Sequence, residues 1–240
     1  MTVDQQTEFQ LTTTVDFMSW PAPASTAVVR ISTRSGAVHV HAEADRTECW
    51  SNIDAVDGSP MTIDAGSSKV EVRVPEGTDL VIGSTSGKVT VVGRVGAISV
   101  LTTSGRISID HASSVDARST SGRVEVVHAD GECRVVSTSG KVEVGRCGAA
   151  DAASRSGRIV LADAHGPVRV NCTSGKIVVA LAGAHDVQAE TMSGRIDVSY
   201  PVEVRPLVAS SAADLAAATP GHDCTVVARS GSGRVVVSTR

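Results

Sequence analysis

The feature that most constrains this chain is a repeat. Ser-Gly, a basic residue and then Val or Ile occur together at Ser86, Ser104, Ser121, Ser139, Ser156, Ser174, Ser193 and Ser232, with degenerate copies at Ser35 and Ser67. From Ser86 to Ser193 the serines lie 18, 17, 18, 17, 18 and 19 residues apart. Helical repeats are much longer, at roughly 33 residues or more, so a period of about 18 is that of one coil of a small β-solenoid.

Within each coil the apolar residues alternate with period 2, which is the strand signature. The strand after the Ser-Gly corner has two inward columns. The first is Val38, Val70, Val89, Ile107, Val124, Val142, Ile159, Ile177, Ile196 and Val235; the second is Val40, Val72, Val91, Ile109, Val126, Val144, Leu161, Val179, Val198 and Val237. The strand before the corner has inward columns that start at Val29 and Ile31 and run in step through Cys133, Val135, Val168 and Val170. A third column there, from Thr33 and Ala65 through Ser84, Thr102, Ser119 and Ser137 to Ser230, is small and mostly hydroxylated, which suits a bend where hydroxyls bond local backbone. Cys133 and Cys172 fall in inward columns as small hydrophobes.

These patterns predict one all-β domain over residues 1–240, a single-stranded parallel β-helix of about 18 residues per coil and roughly nine coils. Right-handed winding is expected because parallel crossovers favour that hand. The stretch between strands, such as residues 92–97, has room for a short third strand. Glycine at the corner is expected to supply a positive φ. Residues 1–28, with Phe9, Leu11, Thr13, Val15 and Phe17 in alternation, read as an added strand. Two insertions interrupt the period: residues 41–60, with Trp50, and residues 200–224, where Ser211 can cap a helix over 212–218 that Pro220-Gly221 ends. The second is expected to cover the last coil with Leu207, Leu215 and the alanines of 212–218; failing that, the bare end would pair with another chain.

A Ser-Gly-[Lys/Arg]-[Val/Ile]-x-Val motif at this spacing, over residues 29–238, resembles a bacterial adhesin-labelled family of unknown function related to the head GIN domain family. The resemblance implies a β-helix and no catalytic residues.

Composition narrows the functions. Aromatic residues make up 2% of the chain, too few for a base-stacking or sugar-stacking platform. Net charge is −4 with neither sign gathered in a block, which argues against nucleic acid and against a membrane surface. No run of 18 apolar residues is present, and the first basic residue is Arg30, so the expectation is a cytoplasmic protein without a signal peptide. The five cysteines are odd in number and widely spaced, which predicts reduced thiols.

The most regular outward feature is a file of basic residues after the corner: Lys69, Lys88, Arg106, Arg123, Lys141, Arg158, Lys176, Arg195 and Arg234. Two positions on, Glu71, Glu125, Glu143 and Asp197 face the same side and can offset its repulsion. His39 and His41 share one strand face, and His111 and His128 occupy equivalent corners of adjacent coils, but neither pair brings an evident third metal ligand. The carboxylates Asp110, Asp116, Asp130, Asp151 and Asp163 are scattered over different corners, and no glycine loop opens a helix, so no catalytic set, cofactor site or metal site is expected. The sequence therefore favours a non-catalytic structural or protein-interaction solenoid, which binds an unidentified protein partner or associates with itself through its ends. The alternative is a module that binds a glycan or acidic polymer along Lys88, Arg106, Arg123, Lys141, Arg158, Lys176 and Arg195.

Overall fold

A computed structural model describes residues 28–55, 60–209 and 223–240. The added strand expected within residues 1–27 and the helix expected over 212–218 lie outside the described residues. The rest is all-β, and its strands join one sheet that is parallel apart from a single short antiparallel pairing. The strands are β1 (Val28–Thr33), β2 (Val38–Glu43), β3 (Trp50–Ser51), β4 (Met61–Asp64), β5 (Val70–Pro75), β6 (Asp79–Ser84) and β7 (Val89–Ala129), followed by β8 (Cys133–Cys147), β9 (Ala150–Ala164), β10 (Val168–Leu181), β11 (Val187–Tyr200), β12 (Pro206–Ala209) and β13 (Cys224–Thr239).

From β7 onward, repeat pairs with repeat in one register through the corner, with a slip between Val179 and Leu181 where β10 pairs with β9. Ser121 faces Ser139, Gly122 faces Gly140 and Val124 faces Val142, and the same set of positions recurs up to Ser193, Gly194 and Ile196 against Ser232, Gly233 and Val235. The ladder runs straight through the Ser-Gly corner. Of the twenty post-corner core positions all are buried except Val235 and Val237, which sit in the last coil with no full coil of the described residues beyond them. Each buried Val or Ile contributes about 1.5–3 kcal/mol, so the core is a sum of near-identical layers. A third wall does form between them, with Val95, Ala112, Ala129, Cys147, Ala164 and Leu181 pointing inward and Ala129, Cys147 and Ala164 in register.

Both ends depart from simple stacking in chain order. β1 lies between β4 and β6, with Val29 beside both Met61 and Leu80, and β2 lies between β5 and β7, with Val38 beside both Val70 and Val89. Among the described residues the second coil in sequence is therefore the outermost, and the first is slotted inside it. At the other end β13 is slotted between β11 and β12. Coil order thus departs from chain order at both ends, which the sequence period does not reveal: an 18-residue period is unchanged when near-identical repeats swap places.

The expected role of the corner glycine is also corrected. Gly122, Gly140, Gly157, Gly175, Gly194 and Gly233 have φ between 138° and 153°, but Gly36, Gly87 and Gly105 are not among the positive-φ glycines. What all nine share is contact: a Cβ at any of them would overlap the backbone carbonyl of the coil below, Ser68 under Gly36, Gly36 under Gly87 and Gly87 under Gly105. Close backbone stacking demands glycine here, and positive φ accompanies it in the later coils.

The hydroxyl column behaves as expected in part. Thr33 donates to the Gly66 carbonyl (3.1 Å) and accepts from the Gly36 N–H (3.1 Å), and Ser230 donates to the Gly194 carbonyl (3.2 Å). Ser84, Thr102, Ser119 and Thr191 have buried hydroxyls with no hydrogen-bond partner among the described residues.

Candidate interaction surfaces

The register places the basic residues in one file. Arg123, Lys141, Arg158, Lys176, Arg195 and Arg234 are consecutive partners across β7 to β13, one coil apart, about 4.8 Å. Carboxylates break the file into unlike segments. Glu143 takes Lys141 and, at 4.0 Å, Arg123; Asp197 takes Lys176 at 2.9 Å and Arg195 at 2.6 Å. Burial works to raise the Asp197 carboxyl, but hydrogen bonds from Lys176 and Arg195 outweigh it and hold the group below its ordinary range. Lys88, Arg106, Arg158 and Arg234 have no carboxylate within ion-pair distance among the described residues. Of the file, Lys88 and Arg106 are the unpaired neighbours.

A second group of polar side chains lies on the third wall. His111 and His128 stack face to face, ring centroids 4.3 Å apart and planes 9° from parallel. Asp130 lies within 3.1 Å of the Nε2 of each ring, and Arg94 donates to its Oδ2 at 2.7 Å. The hydrogen bond to His111 leads the effects that hold the Asp130 carboxyl below its usual range. The sequence paired the two histidines but missed Asp130 as their companion. Its signal was the i+2 spacing from His128 on the same outward face. His39 and His41 gather no third ligand among the described residues. Further along the wall His165 pairs with Asp163 at 2.8 Å.

The cysteines are free thiols, four of them buried. Burial, then the neighbouring Asp163, pushes the Cys147 thiol up to about 11, and burial raises Cys133 further, so both are protonated packing residues at neutral pH. A shallow groove of about 460 Å³ crosses the pre-corner strands between Glu132, Asp151, Arg169 and Asp186. Two of its carboxylates are already engaged: Asp151 faces Arg134 at 3.9 Å, and Asp186 accepts the Thr225 N–H at 2.8 Å. Among the described residues no helix is long and apolar enough to cross a membrane.

Parallel strands that repeat one wall after another around a shared apolar core, with glycines stacked at each corner, define a β-solenoid. Within that class the chain belongs to the toastrack family, DUF4097, a domain family of unknown function whose profile matches residues 30–232. The adhesin label attached to the sequence resemblance does not come with that match. No curated protein and no solved structure matches the chain.

Proposed function

We propose that this chain is a non-catalytic scaffold that presents the outer faces of its coils to a protein partner. The observation that carries the reading is the register itself. From Ser121 to Ser232 the same positions face one another coil after coil, so outward side chains are displayed in files at fixed spacing. Where the repeat breaks, the described strands β3 and β12 pair with strand edges and so continue the sheet.

A scaffold of this kind tolerates the loss of a coil. Deleting residues 140–156 joins Ser139 to Gly157 and restores the Ser-Gly corner. The shortened chain should melt cooperatively, and scattering should show a particle about 5 Å shorter. Turnover of any polysaccharide by the intact chain would overturn the reading. The polymer-binding alternative rests on Lys88 and Arg106, the unpaired neighbours of the file. It predicts binding on a glycan array that is lost when Lys88, Arg106 and Arg123 are reversed in charge.

A further inference from the structure

We infer that His111, His128 and Asp130 form a binding site for a late first-row divalent cation, with zinc as the reference ion. Their ligand atoms, the two Nε2 nitrogens and a carboxylate oxygen, all lie within 4.8 Å of one another. The backbone sets this convergence before any ion arrives. His111 and His128 are a coil apart on one continuous strand, and the Asp130 and Gly131 N–H groups donate to the carbonyls of Ala112 (3.0 Å) and Ser113 (2.8 Å) beside His111. The acid is thus tied to the coil of one histidine and sits two residues from the other. Little ordering remains to oppose binding, which is what preorganisation contributes to affinity.

The hydrogen-bond arrangement is itself suggestive. Each Nε2 reaches an oxygen of Asp130 at 3.1 Å, so each ring can place a proton between nitrogen and carboxylate. One cation can replace both protons if the rings move to the Nδ1–H tautomer, leaving each Nε2 lone pair for the ion. The nitrogens must close on an ion about 2.1 Å from each, and both rings are partly exposed, so each has room to tilt from the stack. The open side leaves a position for water. Two imidazoles and one carboxylate suit zinc, cobalt or nickel, whereas magnesium and calcium favour all-oxygen sites. Arg94, 2.7 Å from the Asp130 carboxylate, is a competing cation that lowers affinity.

The experiment is zinc titration by calorimetry on the full chain carrying Cys49→Ser, since Cys49 is an exposed thiol that could bind zinc independently. One equivalent should bind. His128→Asn and Asp130→Asn should each weaken binding at least about tenfold, and Arg94→Gln should strengthen it. Cobalt in place of zinc should give visible absorption bands that both weakening variants lose. Unchanged zinc affinity in the two variants, in protein that melts like the parent, would overturn the site. If either variant fails to fold, the parent supplies the measurement. One equivalent of zinc should shift the ring proton resonances of His111 and His128 and leave those of His165 in place, and unshifted His111 and His128 resonances would overturn the site equally.

Discussion

The two ends of the solenoid solve one problem with opposite halves of a coil. At the N-terminal end the outermost coil is β4 with β5, and it is the post-corner strand β5 that is covered. β3 pairs with it antiparallel, Trp50 beside Arg73 and Ser51 beside Val72. Asn52 adds three bonds to the same edge, accepting from the Glu71 N–H (2.7 Å), donating its own N–H to the Glu71 carbonyl (3.1 Å) and its amide to the Lys69 carbonyl (3.2 Å). Among the described residues the pre-corner strand β4 pairs only with β1. At the C-terminal end the assignment is reversed: β12 covers the pre-corner half of β13, Cys224 to Val227, and among the described residues the post-corner half pairs only with β11. Among the described residues, each end covers one strand edge and leaves another without a partner. Such edges are where a solenoid risks adding further chains, and β3 and β12 each shorten the edge that is left.

The harshest test of this layout uses the corner column. In the interior, Gly140→Ala would drive a Cβ into the Gly122 carbonyl at a φ of 138°, with a cost of about 3 kcal/mol or more in denaturant melts. Gly36→Ala should be nearly as costly, because Gly36 stacks on Ser68. Ser68→Ala in the outermost coil should stay within about 0.5 kcal/mol of the parent. If Gly36→Ala were as mild as Ser68→Ala, the first coil would be the terminal one and the slotted arrangement would be wrong.

Next in size is removal of the C-terminal cover. Deleting residues 203–221 takes away β12 and lays bare the whole outer edge of β13, so light scattering should show a higher mass than the parent. A deletion variant of unchanged mass and stability would eliminate the protective role of β12. The N-terminal counterpart is gentler. Asn52→Ala removes two side-chain bonds from the edge of β5, whose groups can turn to water, and should cost about 1 kcal/mol. A loss as large as that of the β12 deletion would show the ends to be capped with equal strength.

Much of this was legible in the residues. The alternation at Val124, Val126, Val142 and Val144 fixed strand, face and register together, because a slip of one residue would turn the whole apolar set outward. The order of the outer coils was hidden for the same reason that the fold was visible: repeats with the same period fit one another in any sequence. One residue did carry the order. Ser68 occupies the position that is glycine in the other coils, and a side chain there is tolerated because no further coil of the described residues lies beneath it. The third-wall group was half legible. His111 and His128 are related by the period and Asp130 follows His128 by two residues, but Arg94 lies 36 residues from Asp130, and its approach depends on how the wall bends.

The smallest expected effect gives an independent reading of the coil order. His39 sits between Glu71 and Thr90 in the ladder, and so one coil from both Lys69 and Lys88. Its pKa lies below the ordinary 6.5, first because it is partly buried and then because both lysines oppose a positive charge on the ring. The unfolded chain therefore takes up a proton more readily than the folded one, and this group withdraws stability as pH falls from about 6.5 toward its folded value. Lys88→Glu should raise the His39 pKa by an amount similar to Lys69→Glu, as followed by proton resonances of the ring. If coils stacked in chain order, Lys88 would be two coils away, roughly 10 Å. At physiological salt, with a screening length of about 8 Å, its charge would be felt only weakly. A His39 titration that responds to Lys69→Glu and ignores Lys88→Glu would restore that simple order.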